Sequence, residues 1–154
     1  MGVSCYLTPM NAEAIKRVRA FGGSVLLKED LPSVFIGKSS WLEIHNILCG
    51  KAEANRDIMA QVILGGEEIV LNLGYDPARL IDPACVRRIA AHLECFTVTD
   101  FRERTLSREW LGADIWSDED FPEEVAHLME LYAVVRQTYL DAAKRGYAML
   151  AYLI

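Results

Sequence analysis

Residues 120–154 read DFPEEVAHLMELYAVVRQTYLDAAKRGYAMLAYLI, and this stretch decides the fold class. Val125, Leu128, Met129, Tyr132, Val135 and Tyr139 recur three and four residues apart, which lines them along one face of an α-helix. Asp120-Phe121-Pro122-Glu123 opens that helix, because proline in the first turn gives up an amide with no intrahelical acceptor. Glu123 and Glu124 at its start and Lys144-Arg145 at its end complement the helix dipole. Gly146 stops it. The run that follows, YAMLAYLI, is an apolar strand over Ala148–Leu153. A long amphipathic helix turning directly into an apolar strand calls for a layered α+β domain, since each must bury its apolar face against something.

Working outward, Gly2–Leu7 reads as a second short strand. An apolar strand near each end of the chain points to one small sheet that holds both, packed by the long helix. The fold class is therefore α+β, mostly helical. Thr8-Pro9 is the expected start of the first helix, with Ala14, Ile15, Val18 and Phe21 on its apolar face and Gly22-Gly23 at its end. Ser40-Trp41-Leu42-Glu43 has the form of a capping box, ahead of a helix with Trp41, Ile44, His45 and Leu48 on one face and Gly50 as its stop. Asp82-Pro83 opens a further helix on which Val86, Ile89, Ala90 and Leu93 repeat. Thr99–Leu106 reads as another, and Ser107–Leu111 as one more. Residues 52–58 add a helical turn. Val25–Leu27 and Val34–Ile36 read equally as short strands or packed loop. Gly65-Gly66 marks a turn, and Ile69–Leu71 is an edge strand or an extended loop.

At 154 residues the length suits a single domain, 1–154. No run approaches the ~18 apolar residues that cross a bilayer. The start, MGVSCYLTPMNAEAIKR, lacks a basic segment ahead of an apolar one, so a cytoplasmic location is expected. None of the four cysteines forms a CxxC pair, which predicts reduced thiols, no bound metal and no cofactor. His45 with Cys49, and His92 with Cys95, have spacings that could grip a metal from a helix, but zinc needs both pairs brought together. The net charge of −6 argues against phosphate neutralisation and hence against nucleic acid. It suits a basic protein partner. Oligomeric state is not encoded in these patterns.

The middle of the chain carries a resemblance. LGGEEI, LGYDPAR and DPACV, taken with the opening MGVSCYL, the Trp41-Leu42-Glu43-Ile44-His45 helix ending at Gly50, and the strand after Gly146, resemble the YfbM-like family of small bacterial proteins, a domain of unknown function. The blocks span the whole chain in order. The resemblance implies an α+β domain and supplies no activity. Cys5 stands where the family has glycine, Asp76 where glycine is common, and residues 24–38 match no family block.

Two constellations are candidates for function. His45, Glu67, Glu68, Asp76 and Arg79 could line one polar site for acid–base work if burial separates their pKa values. The structural alternative has Arg79 forked onto Glu67 or Glu68, fastening two glycine-marked turns. Trp41 and His45 share a helix face, either as a stacking shelf or as a core indole beside a tethered imidazole. The second constellation is acidic: Asp114, Asp118, Glu119, Asp120, Glu123 and Glu124, flanked by Trp110 and Trp116. Acids beside aromatics compose a docking face, with the indoles as anchors if their rings are exposed. Otherwise the indoles are core and the acids cap a helix. These readings favour a protein-binding module, of which an immunity protein neutralising a toxin is one class. The alternative is a small-ligand binder or enzyme at the Glu67–Arg79 segment.

Overall fold

The centre of the protein is a five-stranded antiparallel sheet in the order β2-β1-β5-β4-β3, formed by β1 (Cys5–Met10), β2 (Val34–Ile36), β3 (Glu67–Ile69), β4 (Ala78–Ile81) and β5 (Ala148–Leu153). This computed structural model describes residues 2–28, 31–49, 56–71, 77–108, 110 and 116–154. The two terminal strands are immediate neighbours, with Cys5 opposite Leu153 and Met10 opposite Ala148, so the expectation of a shared sheet holds. None of the helices among the described residues is long and apolar enough to cross a membrane.

Each face of the sheet is covered, giving three layers. Cys5, Leu7, Ile36, Ile81, Met149 and Ala151 face one core. That core is closed by α3 (Ser40–Cys49), α4 (Arg56–Met59), α5 (Gln61–Leu64), α6 (Pro83–Cys95), α7 (Val98–Leu106) and α8 (Phe121–Arg145). Met10, Ala78, Leu80, Ala148, Leu150 and Tyr152 face the other, which is closed by α1 (Ala12–Phe21) and α2 (Ser24–Lys28). Alternation along β1 and β5 sends odd and even residues to different cores. This is why β5 is apolar throughout and has no polar face.

Helix ends follow local chemistry where the sequence signals them fully. Asp82 caps α6, accepting from the Cys85 amide at 2.7 Å, with Pro83 in the first turn. Thr97 and Asp100 form a reciprocal capping box on α7. Gly146 ends α8 in the left-handed conformation. Two arginines close other ends from a distance. Arg104 donates to the carbonyls of Ile47 and Leu48 at the end of α3, at 3.1 and 3.0 Å. Arg136 donates to those of Leu93 and Glu94 at the end of α6. Cations so placed satisfy orphan carbonyls and oppose the helix dipole.

Several expectations are corrected. Thr8-Pro9 does not cap α1. Both belong to β1, and Asn11 is the cap, accepting from the Ala14 amide at 2.8 Å. Proline is tolerated there for a reason visible in the register. Ser4 and Ile154 exchange both backbone hydrogen bonds, so by strict alternation Pro9 is a non-bonded pair with Met149 and directs its backbone polar groups away from β5. On that side β2 ends at the Leu7–Val34 pair, so no ladder bond is lost. Thr8, fully buried, bonds its hydroxyl to Ser33 at 2.7 Å.

Residues 24–28 are helical, which neither the strand nor the loop reading anticipated, while 34–36 form a strand. The 69–71 strand lies slightly earlier, at Glu67–Ile69. β4 and α5 carry no signal that the sequence reading used. The short helix expected over Ser107–Leu111 does not begin at Ser107–Arg108, which form a turn with Arg108 left-handed at φ 57°, and residues 109 and 111 lie outside the described residues. The capping box at Ser40 is not formed as expected: the Glu43 amide donates to the Ser39 carbonyl, and the Glu43 side chain points inward.

Candidate functional site

The polar cluster around Arg79 does not converge. Glu67 and Glu68 are consecutive in β3, so their side chains leave opposite faces of the sheet. Glu67 pairs with Arg19 of α1 at 3.1 Å, while Glu68 pairs with Arg79, its cross-strand neighbour, at 3.3 Å. The fastening of Arg79 to a glutamate is therefore present, on Glu68. Its side chain is 30% exposed and that of Glu68 59%, so water screens the pair and its contribution is about 0–1 kcal/mol. The depression lined by Arg79, Ile63, Pro77 and Leu153 holds only about 30 Å³. Asp76 lies outside the described residues. His45 sits on α3 with its Nε2 3.7 Å from the Cys49 sulfur. Trp41 is half-buried against the main core, with its indole N–H tied to the Val3 carbonyl at 2.8 Å. Of the second histidine–cysteine pair, His92 turns to the Arg88 carbonyl and Cys95 is exposed.

The start of α8 is more organised. Ser117 donates to the Asp120 carboxylate at 2.7 Å and accepts from the Asp120 amide, ordering the turn that precedes the helix, while Asp120 at the N-cap makes no side-chain capping bond. Asp118, Glu119, Asp120 and Glu123 are all exposed. Asp118 is held by both terminal nitrogens of Arg108 at 3.1 Å. The Arg108 guanidinium also lies 3.8 Å above the Phe121 ring. Asp114 lies outside the described residues. Trp110 is not a surface anchor, and Trp116 is only partly buried. Trp110 is 4% exposed and donates its indole N–H to the Thr105 carbonyl at 3.0 Å. Trp116 packs edge-on against it, with centroids 5.0 Å apart, and tilts onto Phe121.

Beneath this acidic start lies a residue that sequence reasoning assigned to capping. Glu43 is 7% exposed, among Ile44, Ile47 and Leu48 on the inner side of α3. Burial raises its pKa, and the neighbouring Glu124 carboxylate raises it further. A hydrogen bond with the Trp116 indole and the nearby His127 act the other way. One signal was available: Glu43 and Ile47 are four apart and so share a face.

The sign of the linkage follows. The folded state holds the Glu43 proton more tightly than the unfolded chain, whose value is near 4.5. The associated stability is present below that value and is lost as pH rises through the folded-state pKa. Glu43→Gln removes the charge and keeps an acceptor for Trp116. We expect the variant to melt above wild type at pH 7, by about 2–4 °C for each kcal/mol relieved. That gain should vanish below pH ~4, where both proteins carry a neutral group. Melting curves at the two pH values check it, and a gain of equal size at both would reject the electrostatic cause.

Comparison with known proteins places the fold. The family model for DUF1877, a domain of unknown function, matches residues 1–152. The crystal structure of YfbM from Escherichia coli, a protein of unknown function, superposes with a TM-score of 0.68, covering 98% of this chain and 99% of that one at 18% identity. At that identity the likeness is one of fold. No curated protein matches the sequence.

Proposed function

The chain belongs to the DUF1877 family, a domain of unknown function, and from that premise we propose that it is a cytoplasmic protein-binding module that meets a basic partner through the start of α8. One observation carries this reading. Asp118, Glu119, Asp120 and Glu123 lie exposed within six residues, the first three in the turn that leads into α8 and Glu123 in its first turn, so four negative charges are presented close together. Arg108 offsets only Asp118 among them in the described ion pairs. Like charges held this closely repel, and a basic partner relieves that repulsion while steering its own approach. The immunity-protein form of this reading fits the same charge, since an acidic face can cover a basic toxin site. The divergence of Glu67 and Glu68 weighs against the acid–base alternative at β3–β4.

The test uses Asp118→Asn, Glu119→Gln and Glu123→Gln combined, all three exposed. A partner recovered on immobilised wild-type protein should bind the variant at least about tenfold more slowly at low salt. The difference should shrink as salt shortens the Debye length below ~8 Å. Equal association rates and equal salt dependence for the two proteins would remove the α8 start from recognition.

A further inference from the structure

A pocket of about 210 Å³ lies between the last two turns of α8 and the β1–β2 edge. It is independent of the acidic face. Pro9, Val34, Ala142 and Tyr147 supply apolar walls, and Asp141 and Arg145 supply opposite charges at its lip. The volume is below the ~300–1,000 Å³ of sites for drug-sized molecules, so the occupant is small.

The two charges stand four residues apart on α8, Asp141 before Arg145, where Cβ atoms are roughly 5–6 Å apart and an acid preceding a base is well placed to pair with it. Here they do not pair. The ion pairs among the described residues involve neither. Asp141 accepts from the Gln137 side-chain amide at 2.9 Å. Arg145 reaches only the Tyr147 ring, 5.9 Å from its centroid. An acid and a base one turn apart, unpaired and bordering the same apolar pocket, can both be satisfied by a single molecule carrying both charges.

We propose that this pocket binds a free apolar α-amino acid. The carboxylate forks onto the Arg145 guanidinium, whose planar donors match it. The ammonium bonds Asp141 and faces the Tyr147 ring, which attracts cations. The side chain enters between Pro9, Val34 and Ala142. A peptide terminus offers only one of the two charges at this spacing, so the free amino acid is the occupant that uses both. Both charges at the lip are exposed to water, which implies weak affinity.

The experiment titrates the ¹⁵N-labelled full chain with L-leucine, L-valine and L-phenylalanine, following the Val34, Ala142 and Tyr147 amides. N-acetyl-leucine and leucine amide serve as analogues lacking one charge each. We expect at least one amino acid to shift these amides saturably with a Kd in or below the millimolar range. Both analogues, and the Asp141→Asn and Arg145→Gln variants, should bind at least tenfold more weakly. The spectrum itself reports whether each variant is folded. If no amino acid gives saturable shifts up to roughly 20 mM, well beyond a millimolar Kd, the proposal is overturned. It is equally overturned if an analogue binds as tightly as its parent, or if both variants bind like wild type.

Discussion

Gly66→Ala is expected to lower the melting temperature sharply, by about 6–12 °C for a loss near 3 kcal/mol in a chain of this size. Two costs add. Gly66 has φ +95°, where a side chain is strained by about 1–3 kcal/mol. A Cβ there would also stand 2.5 Å from the Leu80 carbonyl oxygen and 2.6 Å from its carbon. Those atoms cannot step aside cheaply. Leu80 is registered with Glu67 on one side and Leu150 on the other, so moving it disturbs β4 in the interior of the sheet. Gly22→Ala separates the two costs. Gly22 has φ +68° and ψ −152°, also a conformation that favours glycine, with nothing within 4 Å of an added Cβ, so only the backbone strain of about 1–3 kcal/mol applies. Thermal unfolding of both variants should place Gly66→Ala well below Gly22→Ala. Equal melting points would show that β3 can move away from β4 at little cost.

Tyr139→Ala is expected to cost about 3–5 kcal/mol, the usual range for removing a large buried ring. Tyr139 is fully buried, and its phenol donates to the Val62 carbonyl, joining α8 to α5 across the main core. Burial holds its pKa far above the ordinary tyrosine value, so the phenol remains a neutral donor. Tyr139→Phe keeps the ring and removes only that donor, for a smaller loss of about 1–3 kcal/mol. Chemical denaturation should rank wild type, Phe and Ala in that order. If Phe were as damaging as Ala, the hydrogen bond and not the ring volume would dominate at this position.

The sequence by itself determined the elements whose causes are local. The apolar spacing of α8 and α6, the Asp82-Pro83 start and the Gly146 stop each lie within a few residues of what they control. An apolar strand at each end of the chain likewise implied a common sheet, because neither could stay exposed. Tertiary structure decided the rest. Strand β4 sends Ala78 and Leu80 to one core and Ile81 to the other, so burial on both faces erased the alternation that marks a half-exposed strand. Pro9 could enter β1 only because β2 stops short of it, a fact about a neighbouring strand. Glu67 and Glu68 looked like one site while their segment read as a turn, and became two separate ion pairs once paired into the sheet. Glu43 fitted a capping motif by spacing, and Trp110 fitted an anchor by its acidic neighbours. Which way either side chain points depends on helices distant in sequence, and burial against them is a property of the assembled layers.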